Sequence, residues 1–163
     1  MYKVSQIMAR QSLAFSEVDR ATERSGVLLT LCVHDNPMFL HQVCRHLEQR
    51  GDISVEIALS VEDALHLMRY VPFDVIITDC SLCQTKNIDF LIAVREQGIT
   101  VPFIYFTRTR ITDFEAGARP YGPVYFVEWE ESLLRGFMEL YLLIKRTAEE
   151  NLKEHDTLAE YRL

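Results

Sequence analysis

The stretch "FDVIITDCSLC", Phe73–Cys83, decides the fold. Its apolar part, "DVIIT" (74–78), shows no alternation of apolar and polar residues. A strand with one wet face alternates with period two, so an unbroken run of this length predicts a strand covered on both faces. The run ends on a lone carboxylate, Asp79, followed by the spacing Cys80-x-x-Cys83. The carboxylate points to phosphoryl or metal chemistry, the sulfurs to redox or zinc chemistry.

Runs of the same kind recur on either side. "VLLTLCV" (27–33), "SVEIALS" (54–60), "VPFIYFT" (101–107) and "VYFVEW" (124–129) are all of strand length. Helical spacing fills the gaps. Phe39, Val43 and Leu47 share a stripe that ends at Gly51. "VEDALHLMRYV" (61–71) follows Ser60, a good N-cap, and "IDFLIAVREQG" (88–98) follows the third run. "ITDFEAGARPYG" (111–122) predicts a short fourth helix that Pro120 ends early. "ESLLRGFMELYLLIKR" (131–146) opens a long last one. Five alternations predict an α/β fold: a five-stranded parallel sheet, doubly wound with helices on both faces. In such sheets the site lies beyond the carboxyl ends of the strands.

Both ends of the chain extend this unit. Val4, Met8, Phe15 and Val18 predict an amphipathic helix over 4–22, with Ile7 and Ala14 beside the stripe and Gly26 as a stop. After Arg146, Ala148, Leu152 and Ala159 carry a thin apolar stripe through "AEENLKEHDTLAEYRL". The organisation read is an N-terminal helix (1–25), a central domain (26–146) and a C-terminal helical extension or linker (147–163). Stripes this narrow are worth little on lone helices, and a two-fold homodimer through the terminal helices is the expected assembly.

Composition excludes several classes. The net charge of −7 disfavours direct nucleic-acid binding. No apolar run approaches the roughly 18 residues of a membrane span. "MYKVSQIMARQ" has no apolar core of a signal peptide, which predicts a cytoplasmic protein with reduced thiols. The sulfurs make a poor centre. A redox pair of this spacing opens a helix after the first strand of its own unit, and zinc needs about four ligands. His41 and His46, five apart on one helix, share no face and read as solvated.

The strand ends are more productive. The first run delivers His34 and Asp35, the third Asp79, the fourth Thr107. Carboxylates from two strands meeting at one edge suit a hard cation such as Mg²⁺. A metal-supported aspartate with a hydroxyl donor beside it suits phosphoryl transfer. "LLTLCVHDNP", "ALSVEDALHLM", "FDVIITDCSL" and "VPFIYFT", in this order, resemble the receiver domain of two-component response regulators from Val27 to about Arg146. The resemblance implies the flavodoxin-like receiver fold and phosphorylation at Asp79. It implies Asp35 and Asp79 as Mg²⁺ ligands, Thr107 as the hydroxyl that meets the phosphoryl group, and Tyr125 as the aromatic that moves with it. The implied partner is a histidine kinase or phosphotransfer protein, and the module is not a turnover enzyme.

Four departures weigh against a standard site. His34 replaces the first acid of the pair, so Mg²⁺ binding is expected to be weak. "LCQTKN" (82–87) replaces the Met-Pro and Gly of the family's loop. Glu128 stands where the family has Lys, followed by Trp129 in place of Pro. A like charge at ~4 Å in an effective dielectric near 20 costs about 4 kcal/mol. Glu128 must therefore turn to solvent, be protonated, or meet a substitute cation such as Arg108. The alternative function is a pseudo-receiver, a binding or dimerisation module independent of phosphorylation. An aspartyl phosphatase would want a second Asp two residues after the first, where Ser81 stands.

Overall fold

The structure is a computed structural model and describes residues 26–80, 87–108 and 112–160. The helix expected over 4–22, and Cys83 with most of its loop, lie outside these residues. Five strands form one parallel sheet in the order β2-β1-β3-β4-β5. They are β1 Leu28–Val33, β2 Ile53–Ala58, β3 Val75–Thr78, β4 Phe103–Thr107 and β5 Val124–Glu128. The helices are α1 Pro37–Leu47, α2 Val61–Met68, α3 Asn87–Glu96, α4 Thr112–Ala118 and α5 Leu133–Glu160.

Side-chain alternation along each strand sorts the core into two layers. Cys32, Val75, Ile77, Ile104 and Phe106 face α1 and α5. Leu31, Val33, Ile76, Phe103 and Tyr105 face the side of α2, α3 and α4. All of β3 and β4 is buried, as expected of strands covered on both faces.

Boundaries follow local chemistry. Asn36 caps α1, its Oδ1 accepting from the N–H groups of Met38 (3.0 Å) and Phe39 (3.3 Å). Ser60, read as strand end and cap together, is the cap alone: β2 stops at Ala58, and Ser60 Oγ accepts from Asp63 N–H at 3.1 Å. The run 101–107 also loses its start. Pro102 has no N–H for the ladder, and β4 begins at Phe103. Gly98, at φ 77°, takes the left-handed conformation that ends the turn after α3. Pro120 falls in a 3₁₀ turn, Arg119–Tyr121, after α4 stops at Ala118.

Arg95 on α3 ties the far side together. Its guanidinium donates to the carbonyls of Tyr121 (2.8 Å), Ile99 (2.8 Å), Val101 (2.9 Å) and Pro123 (3.1 Å). The loops that launch β4 and β5 are thereby fixed to one helix. The chain leaves β1 for β2 on one side and crosses to β3 on the other. The strand order reverses between β1 and β3, and the crevice of such a sheet opens there.

Candidate functional site

That crevice receives His34 from the end of β1 and Asp79 from the end of β3. Asp79 is 6% exposed, held beyond the last buried residue of the central strand. His34 continues the ladder, its N–H donating to Ala58 O at 3.1 Å. Its Nδ1 accepts the Asn36 N–H at 2.9 Å, which assigns the proton of the neutral ring to Nε2. Nε2 faces Asp79 Oδ2 at 3.6 Å, longer than a hydrogen bond. Nδ1 also lies 3.2 Å from Asp35 Oδ1, whose side chain is 72% exposed.

The imidazole therefore has one nitrogen near each of the two acids. Mg²⁺ wants oxygen ligands in a tight octahedron, and an imidazole in place of a carboxylate removes both an oxygen and a charge. Among the described residues no group of three His, Cys, Asp or Glu side chains could hold a metal. The described residues as arranged do not by themselves fit a resident Mg²⁺.

Thr107, the last residue of β4, is buried and pairs in register with Glu128 of β5. Its carbonyl accepts the Trp129 N–H at 3.1 Å, and its hydroxyl hydrogen-bonds the Cys80 sulfur. Burial pushes the Cys80 thiol up to about 12, and the charges of Asp79 and Glu115 add to the rise. A thiol so raised carries almost no thiolate at neutral pH and is inert as nucleophile or metal ligand. Burial raises Cys32 as well, with Cys44 beside it in the core. Of the two chemistries in "DCSLC", the carboxylate occupies the site and the described sulfur packs behind it.

Glu128 is exposed and turned toward the first turns of α5. There it shares an open hollow with Glu130, Glu131, Arg135 and Glu139. Of the three reliefs for its charge, solvent is the one the structure uses. Arg108 is exposed just past β4. Tyr125 lies on the α1/α5 face of β5. Burial raises its hydroxyl, and Glu150, Arg146 and Glu154 of α5 act on it. The aromatic that β5 turns toward α4 is Phe126, stacked on Tyr105 at 5.3 Å and edge-on to Phe114 at 6.4 Å.

Two features escaped sequence reasoning. Tyr105 is fully buried, with Cys80 and Arg95 near its hydroxyl. Its position two residues before Thr107, on the same face, was the available signal. Trp129 packs on Phe39 (5.9 Å) and Phe106 (6.1 Å), and Phe39 lies 4.6 Å from the His34 ring. A Cβ on Gly136 would come within 2.5 Å of Trp129 Cβ, so only glycine lets α5 approach there. No sequence pattern announces that contact.

An all-parallel sheet of order β2-β1-β3-β4-β5 with an acid buried at its switch point places the chain in the class of doubly wound α/β folds with a site at the carboxyl edge. The sequence profile of the response regulator receiver domain matches residues 30–128, more than half of the chain, and the chain belongs to that family. Solved structures agree on the fold. The receiver domain of a Francisella response regulator superposes with TM-score 0.66 at 20% identity, covering 76% of this chain and 98% of that one. A signal receiver domain from an HD domain-containing protein of Pseudomonas fluorescens gives 0.69 at 17%, covering 84% and 98%. A chemotaxis response regulator of Vibrio cholerae gives 0.61 at 21%, covering 72% and 98%. No curated protein matches. Among the described residues no helix is long and apolar enough to cross a membrane.

Proposed function

We propose that this receiver module works by binding a protein partner without needing phosphorylation. The observation that carries the reading is His34, whose ring faces Asp35 with one nitrogen and Asp79 with the other. Phosphoryl transfer depends almost wholly on positioning and charge neutralisation. Here the described residues do not by themselves fit the divalent cation, and the strand-5 position carries Glu128 instead of a cation. With Glu128 turned to solvent, a dianionic phosphoryl group on Asp79 would receive no positive charge from the end of β5. The module acts by association rather than turnover, and its partner class remains the kinases and phosphotransfer proteins of two-component signalling.

The burial of Asp79 beside the Thr107–Cys80 contact favours a second reading, a phosphoacceptor. In it an Asp79 oxygen attacks the phosphorus of a partner's phosphohistidine. The P–O bond forms, the P–N bond breaks, and the leaving imidazole nitrogen keeps the electron pair and takes a proton. Incubation with Mg²⁺ and acetyl phosphate, followed by intact-mass measurement, separates the two. The first reading expects no added phosphoryl group. A stable increment that disappears in Asp79→Asn overturns it and establishes the second.

A further inference from the structure

Helix α5 carries two apolar stripes. Phe137, Leu140, Ile144 and Ala148 are buried against the sheet. Leu134, Met138 and Leu142 stand 62, 58 and 62% exposed on the outer side. Residues four apart stack along a helix, so these three form a ridge about 12 Å long. Each end of the ridge carries a charge, at the same distance from its middle. Glu131 lies seven positions before Met138 and Lys145 seven after it. Steps of three and four keep these positions on one face. Its order is acid, leucine, methionine, leucine, base.

We propose that this face is a self-complementary docking surface, covered by α5 of a second copy of the chain running antiparallel about a two-fold axis at Met138. In such a contact residue i meets j and j meets i. Met138 then meets the partner's Met138, Leu134 meets the partner's Leu142, and Glu131 meets the partner's Lys145. By the same count Glu130 falls opposite the partner's Arg146. A two-fold at this place belongs to the sheet-packed part of α5, not to the thin stripe beyond Arg146. Asp79 takes no part in it, so the contact is independent of the phosphoryl site.

Charge selects the direction. The entrance of α5 is acidic: Glu128, Glu130, Glu131 and Glu139 line one open hollow with Arg135, which pairs with Glu139 at 3.1 Å. The middle of the helix is basic. Arg146 is exposed, and Lys145, 3.3 Å from Asp52, keeps its side chain 31% exposed. A parallel copy would set Glu131 on Glu131 and Lys145 on Lys145, like charges on facing helices. An antiparallel copy brings two cations to each acidic hollow. Three apolar side chains a side are far fewer than the roughly 20–30 residues a side of a standard interface. The association is therefore weak and rises with concentration.

Sedimentation velocity of the full-length chain, from low micromolar to several hundred micromolar, reads the contact. The average mass is expected to rise from one chain toward two. Met138→Glu, at an exposed position the core does not use, should weaken the dimer at least tenfold while leaving circular dichroism unchanged. A chain that stays monomeric throughout overturns the proposal, and so does a dimer that Met138→Glu leaves as strong. Single cysteines read the direction. An antiparallel two-fold sets position 138 against itself, whereas the two copies of position 134 lie about 12 Å apart along the axis, beyond disulfide reach. Mild oxidation should link Met138→Cys chains through position 138, identified by peptide mass mapping, and should leave Leu134→Cys chains unlinked at position 134. A mixture of Leu134→Cys and Leu142→Cys chains should link 134 to 142. No link at 138, or self-linking at 134 as fast as at 138, overturns the antiparallel pairing.

Discussion

At position 34 an imidazole stands where a third oxygen ligand would complete a cation site. The exchange alters both charge and donor type. Replacing the ring by a short carboxylate beside Asp35 and Asp79 adds an oxygen donor and a negative charge. His34→Asp is therefore expected to raise Mg²⁺ affinity at least tenfold over the parent. Trp129, the sole tryptophan, reports the change because it packs on Phe39, which packs on His34. A variant that titrates no better than the parent by fluorescence or calorimetry removes the cation site. A second residue-scale case is Asp52. The Tyr141 hydroxyl, then Lys145, hold its carboxyl below the ordinary carboxylate value, although burial works against them. A lowered folded pKa means a stabilising contribution that is complete above the unfolded value near 4 and lost as pH falls through the folded one. Asp52→Asn should lower the urea midpoint at pH 7, and the gap to the parent should close toward pH 3. A gap that is constant with pH assigns the loss to packing alone.

Between elements, the contacts that fix α5 and α3 are of opposite legibility. Glycine inside a helix normally costs about 1 kcal/mol relative to alanine, so propensity alone predicts that Gly136→Ala stabilises. The Cβ would meet Trp129 Cβ at 2.5 Å and the Phe106 ring at 3.1 Å, neither on a flexible side-chain end. Overpacking of this kind costs about 1–3 kcal/mol, and the expected sign is destabilising, read by urea denaturation. An increase in stability would show that α5 can retreat from Trp129. Arg95 makes a related case. It satisfies four carbonyls of two loops, and Arg95→Lys keeps the charge but loses the planar fork. A loss of about 3 kcal/mol is expected, since charged hydrogen bonds leave costly orphans. A loss within experimental error would make the clamp redundant. The succession of strands and helices, the two-sided burial of "VIIT" and the place of Asp79 were readable because period and run length encode burial directly. The Trp129–Gly136 contact, the Arg95 clamp and the face taken by Tyr125 were not. They depend on where distant elements cross, which local pattern does not carry.

For the molecule as a whole, the receiver frame is complete while its charges are rearranged. The sheet order, the buried Asp79 and the Thr107–Glu128 register are all in place. What the described part of the edge offers is an imidazole beside Asp35 and Asp79 and a carboxylate at the end of β5, in place of an acid and a cation. If charge rather than geometry withholds phosphorylation, restoring both cations should confer it. The double variant His34→Asp, Glu128→Lys changes one residue at each end of the crevice and leaves the core untouched. Glu128 is exposed, so the full pairing energy at ~4 Å must be discounted for solvent to roughly 1–2 kcal/mol. That corresponds to about tenfold in rate for the lysine alone. The metal adds an effect that depends on its presence. With acetyl phosphate and Mg²⁺, the double variant should therefore acquire an Asp79-dependent phosphoryl increment. Each single variant should label more slowly, and chelation should abolish the contribution of His34→Asp. If the double variant remains unlabelled while its circular dichroism and urea midpoint match the parent, the barrier lies in the loop after Cys80 or in the Thr107–Cys80 contact. Cys80→Ala in the double variant then isolates the contact, because it frees the Thr107 hydroxyl without touching either charge.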